Sequence, residues 1–160
     1  MRDEYGRSQL VLGKAGTAPY SRVGKDTYKA ARVMSIRFTV DNKAGIYVTT
    51  LDGVLSESDI RAAYATFYTT PDFRADLNRI IDLSNADITA IPALGFEAMS
   101  ARVVKTMRQH GRNQLRTAFV VPDDGNYAQI EIYKSIADNT LEDVALFRDV
   151  DSARRWLLGD

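Results

Sequence analysis

From Met34 onward the apolar positions recur with two different periods, and the switches between those periods mark out the elements of the fold. Ile36, Phe38 and Val40 alternate with Arg37 and Thr39, the two-residue period of a half-buried strand. Asp41 to Gly45 supplies turn residues before Ile46, Val48 and Leu51 resume a second strand, so the spacing predicts an antiparallel hairpin ended by Asp52-Gly53. Ser56, with Asp59 three residues on, reads as a capping box, and Ile60, Ala63, Tyr64 and Phe67 follow at helical spacing until Pro71 stops the helix. Ile80 and Ile81, closed by Asp82, form a short strand. A polar turn of Ser84, Asn85, Asp87 and Thr89 leads from it into a long helix that Pro92 opens and Gly111 ends. Thr117 to Val121 is a continuous apolar run of the kind that parallel interior strands show. Pro122 to Gly125 breaks that run, and Asp123 or Asp124 caps a helix carrying Tyr127, Ile130, Tyr133 and Ile136. Val144, Leu146 and Phe147 make a last strand, and Ala153, Trp156 and Leu157 a last helical stripe. The order β-β-α-β-α-β-α-β-α predicts an α/β fold with a mixed, mostly parallel central sheet covered by helices.

Wound at about 100° per residue, the long helix carries apolar residues on two sides. Ile91, Leu94, Ala98 and Ala101 fall on one, and Phe96, Met99, Val103 and Met107 nearly opposite. One side can cover the sheet; the other is expected to meet a neighbouring helix, a ligand or another subunit.

A chain of 160 residues suits one domain with its own core. Charge divides it: up to Val33 there are seven Lys/Arg against three Asp/Glu, leaving fourteen against eighteen beyond. Residues 1–33 therefore read as a basic extension expected to be poorly ordered, and 34–160 as the domain. An arm for an anionic partner, and an upstream segment read from an early start codon, are the other readings of the extension. Cysteine is absent, which removes disulfides, thiolate metal sites and a cysteine nucleophile. No apolar run spans a bilayer, so a cytoplasmic protein without an integral membrane segment is expected.

The strand ending DLS at Asp82 to Ser84, the ALG at Ala93 to Gly95, and ALFRDVDSARRWL from Ala145 to Leu157, in this order of elements, resemble the bacterial STAS domains of anti-sigma-factor antagonists. The SpoIIAA-like branch, related in shape to the Sec14-like lipid-carrier domain, is the nearer resemblance, and it covers about Met34 to Leu158. It implies a regulatory protein-interaction module. Antagonist STAS domains carry a phosphorylatable serine at the start of the helix after the DLS strand. Here that stretch, Ala90 to Gly95, holds no hydroxyl and Thr89 is only a near neighbour, so the kinase switch the family implies has no acceptor at those positions.

Nothing in the sequence spells an enzyme. The single histidine, His110, ends a helix, where a cation meets the helix C-terminus, and neither a G-x-S-x-G elbow nor a Walker glycine loop occurs. Asp82, Asp87, Asp123 and Asp124 read as caps and turns rather than as a metal site, and no cofactor is expected. The expected function is a non-enzymatic docking module. Its partner-binding surface, for a protein partner or a second copy in a homodimer, comprises Asp82, Ser84, Asn85, Asp87, Thr89, Leu94 and Gly95. The alternative, from the Sec14-like resemblance, is a carrier or sensor of a small apolar ligand with a pocket at Tyr64, Phe67, Phe96 and Tyr127. Nucleic acid is not expected as a partner, because acids outnumber Lys/Arg in the body and no recognition motif is present.

Overall fold

A computed structural model describes residues 8–13, 20–23, 27–30 and 34–160. In chain order the strands and helices are β1 (Ser8–Gly13), β2 (Tyr20–Val23), β3 (Thr27–Ala30), β4 (Ser35–Asp41), β5 (Ile46–Val54), α1 (Glu57–Phe67), β6 (Asn78–Asp87), α2 (Ala93–Gln109), β7 (Leu115–Val120), α3 (Asp124–Ala137), β8 (Glu142–Phe147) and α4 (Val150–Leu158). Six strands form one sheet in the order β1-β4-β5-β6-β7-β8, and β2 and β3 pair separately. The β1/β4 and β4/β5 pairs are antiparallel, and β5 to β8 run parallel. This is the mixed α/β architecture expected from the alternation of periods, and from β4 onward the order of elements is the predicted one.

The sheet begins earlier than Met34. Ser8–Gly13 pairs along its whole length with β4, from Ser8 opposite Val40 to Gly13 opposite Ser35, and Leu10 and Leu12 pack half-buried against the core. Without this strand, β4 would present a row of unpaired backbone groups at the edge of the sheet. The rest of the expected extension, residues 1–7, 14–19, 24–26 and 31–33, lies outside the described residues.

Two faces of unequal depth follow from strand parity. Ile36, Phe38, Leu51, Ile81, Leu83 and Phe119 point to one side, where α1, α2 and α3 cover them. Ile46, Ile80, Ala118 and Val120 point to the other, where Ala153 and Leu157 of α4 close over them. Strands β6 and β7 are thus apolar on both faces, which is why they read as continuous runs. Helix ends follow the local chemistry. Ser56 and Asp59 form a reciprocal capping box, and the Asp123 and Asp149 carboxylates accept the N–H groups of Asn126 and Ser152.

Two local expectations change. The stretch from Ser84 to Asp87 is strand, not turn: β6 runs on to Asp87 beside β5, with one register slip between Thr50 and Asp52. The slip coincides with Asp82, whose Oδ1 accepts the Ser84 N–H at 2.9 Å and its hydroxyl at 2.5 Å. On α2 only one of the two apolar sides is covered. Phe96, Val103 and Met107 are buried, whereas Leu94, Ala98 and Ala101 are exposed. Ile91 is buried because it precedes the helix and does not share its stripe.

The connection from β6 to α2 is clamped by α3. Buried Asn126 accepts the Ile88 N–H at 3.0 Å and donates to the Ala86 carbonyl at 2.7 Å, while Gln129 donates to the carbonyls of Thr89 and Ile91 at 2.9 and 3.2 Å. An Asn126→Ala variant leaves a buried N–H and a carbonyl unpaired, and urea denaturation should show a loss of about 2–3 kcal/mol.

A candidate ligand cavity and its buried polar floor

Inward parity on the helix-covered face is broken by four polar residues. Thr49 on β5, Arg79 on β6, Thr117 on β7 and Glu142 on β8 occupy core positions, each almost without exposure. Arg79 Nη2 donates to Glu142 Oε1 at 2.7 Å and Arg79 Nε to Thr117 Oγ1 at 2.9 Å. The Thr117 hydroxyl donates to Glu142 Oε1 at 2.6 Å, and the Tyr133 hydroxyl of α3 to Oε2 at 2.7 Å. Glu142 therefore spends both oxygens on three donors, as a carboxylate taken out of water must. Farther along the row, Thr49 shares a 2.9 Å hydrogen bond with the Tyr64 hydroxyl of α1, whose ring lies 5.5 Å from the Arg79 guanidinium carbon. Tyr47, opposite Arg79 on β5, has a fully buried hydroxyl with no hydrogen-bond partner among the described residues.

The electrostatics follow from this burial. Burial pushes the phenols of Tyr47, Tyr64, Tyr68 and Tyr133 up, and at Tyr133 the Glu142 carboxylate adds to it. Burial alone would lower the Arg79 pKa, but Glu142 and the surrounding tyrosines carry it above its ordinary value. All four phenols stay neutral and Arg79 stays charged across the ordinary pH range.

Above this row α1 and α2 stand apart, and a cavity of about 330 Å³ opens between them. Its walls are apolar: Ile60 and Tyr64 on α1, Phe96, Met99 and Val103 on α2, and Ile81 and Phe119 on the sheet. Arg79 and Tyr133 reach its floor. At one end the helices approach closely, since a Cβ on Gly95 would lie 3.5 Å from Glu57 and 3.0 Å from an Ile91 methyl. Across the gap Glu57 of α1 pairs with Arg102 of α2.

Of the apolar-pocket residues expected from sequence, Tyr64 and Phe96 line this cavity. Phe67 and Tyr127 do not. Phe67 stacks on Phe38 at 4.2 Å within an aromatic cluster, and Tyr127 lies under the Arg148 guanidinium at 4.1 Å. The expected docking residues lie along the carboxyl end of β6 and the start of α2, and none of them lines the cavity. Ser84, Asn85, Asp87, Thr89 and Leu94 are exposed there, while Gly95 is half-buried against α1. The Thr89 hydroxyl and N–H donate to Asp87 Oδ1 at 2.6 and 2.9 Å and hold that carboxyl below the usual carboxylate range. Both hydroxyls of this edge thus already serve a neighbouring carboxylate. Asp123 caps α3, and Asp124 pairs with Arg148 at 3.1 Å.

No protein family and no curated protein matches the sequence. Among solved structures, the chain is similar to an uncharacterized protein of the DUF3478 family with a SpoIIAA-like fold from Shewanella loihica PV-4. The two share 12% identity over 94% of this chain and 95% of that one, with a TM-score of 0.43. Such a likeness says nothing about what either protein binds. No helix among the described residues is long and apolar enough to cross a membrane.

Reading the strands for inward parity could have found the buried row: Arg79 shares the parity of Ile81 and Leu83, Thr117 that of Phe119, and Glu142 that of Val144. The gap between α1 and α2 has no such signal. Arg79→Met should lower stability by about 3–5 kcal/mol in urea titrations, because Glu142 is left as an uncompensated buried charge. Adding Glu142→Leu should restore most of that loss.

Proposed function

We propose that the chain is a non-enzymatic binding module, a carrier or sensor that holds a small apolar ligand between α1 and α2 in the cytoplasm. The apolar cavity over the Arg79–Glu142 floor is the observation that carries this reading. Its volume of about 330 Å³ sits at the lower end of the range of roughly 300–1,000 Å³ typical of small-molecule sites. Binding rather than chemistry is favoured by the state of the polar groups. Arg79 and Glu142 are committed to each other, and the buried phenols are held protonated. His110 Nδ1 donates to the Thr106 carbonyl of its own helix at 2.8 Å, and the ring packs edge-on against Phe73, outside the cavity.

A second reading keeps a regulatory protein-interaction surface, for a partner or a second copy, at the carboxyl end of β6. Exposed apolar side chains at that edge of the sheet favour it: Leu94 in the first turn of α2 is 75% exposed and Val54 at the end of β5 is 66% exposed. On this reading Leu94→Asp should weaken association in sedimentation runs at high concentration, and an unchanged monomer in both proteins counts against it.

The cavity reading is tested with a neutral apolar dye such as N-phenylnaphthylamine. Its fluorescence should rise on mixing with the wild-type protein and fail to rise with Met99→Trp, which fills the space from α2, at an unchanged urea midpoint. A dye signal that is absent from the wild type, or indifferent to the filled cavity, rejects the proposal.

A further inference from the structure

The cavity carries charge of one sign at its rim, and this bears on its ligand if the ligand reading above holds. Among the described residues no aspartate or glutamate lines it, whereas Arg61 on α1 and Arg102 and Lys105 on α2 do. Glu57 is the carboxylate the two arginines share: it bonds to Arg102 across the gap and reaches Arg61, one turn along α1, at 3.7 Å. Lys105 has neither a hydrogen bond nor an ion pair among the described residues. Two of the three cations thus share one carboxylate and the third has none, with the Arg61 and Arg102 side chains 53% and 37% exposed. The floor is different in kind. There Arg79 is already balanced by Glu142, with side-chain exposures of 3% and 0%, so a second carboxylate would leave the interior with a net negative charge and no cation to answer it.

We infer that the ligand is an amphiphilic monoanion, a carboxylic acid with one short apolar body, bound head outward. Its carboxylate lies among Arg61, Arg102 and Lys105, where it competes with Glu57 for the two arginines and takes the uncommitted charge of Lys105. Its body lies against Tyr64, Phe96 and Met99. Size limits that body: a cavity of about 330 Å³ is on the order of ten water-sized groups at about 30 Å³ each, which suits one short chain and excludes a two-chain lipid. Because the rim is part-exposed, the preference for an anion is screened by salt while burial of the chain is not.

Titration calorimetry of the full chain with decanoate and with decanol separates head from body. At low salt decanoate should bind roughly five- to ten-fold more tightly than decanol, and the preference should shrink at high salt. The Arg61→Ala/Lys105→Ala double variant should lose most of the preference, read as the ratio of its decanoate and decanol affinities. Equal binding of the two compounds by the wild type overturns the inference and leaves the cavity reading standing. A preference retained in full by the double variant also overturns it, because the one rim cation left, Arg102, is then paired with Glu57. If neither compound binds, the cavity reading and the inference fall together.

Discussion

A charged pair inside the sheet constrains everything around it. Arg79 sits on an interior strand with its guanidinium removed from water, a placement that costs several kcal/mol unless its charge and N–H groups are answered. The answers come from three elements far apart in sequence: Thr117 on β7, Glu142 on β8 and, through Glu142, Tyr133 on α3. A one-residue slip in either parallel pairing would turn one partner to the opposite face and leave the other buried alone. The pair therefore specifies the register of β6, β7 and β8 more than it adds to stability. Apolar strands of similar composition could pair in several ways, and the buried row leaves one.

The same row shapes the space above it. Tyrosines from α1 and α3 lean over the sheet to reach the polar floor, and Phe38, Tyr47, Phe67 and Phe73 fill one flank of the layer with stacked and edge-on rings. Between α1 and α2 such filling is missing. The helices meet closely at Gly95 and Glu57, and the gap beyond is left to Ile60, Tyr64, Phe96 and Met99. The far end of α2 is anchored elsewhere, where Val103 and Met107 pack with Leu115. Its start is held by Asn126 and Gln129 through the residues that precede it. With both ends of α2 fixed, the cavity is built into the fold. A ligand there would trade water for apolar walls without first ordering a loop, which keeps the entropic cost of binding low.

Several parts of this arrangement are written locally. The capping box at Ser56 and Asp59, the Asp123 and Asp149 caps and the hairpin turned at Gly45 depend on neighbours a few residues away, and each reads directly from spacing and turn chemistry. Where the local signal was ambiguous, tertiary pairing decided. Ser84 to Asp87 looks like a turn because it is polar, yet β5 continues beside it and supplies the ladder. Ser8–Gly13 looks like part of a loose tail, yet β4 offers it an edge.

The sequence by itself determined the fold class, the order of elements from β4 to α4 and the inward face of β4, because strand and helix periods are properties of consecutive residues. Only the tertiary structure decided that Arg79, Thr117 and Glu142 meet, that Leu94, Ala98 and Ala101 stay uncovered, and that a gap rather than packed side chains lies between α1 and α2. Those outcomes depend on the separation and tilt of elements joined by no local interaction, and hydrophobic periodicity records which residues turn inward without recording what they find there.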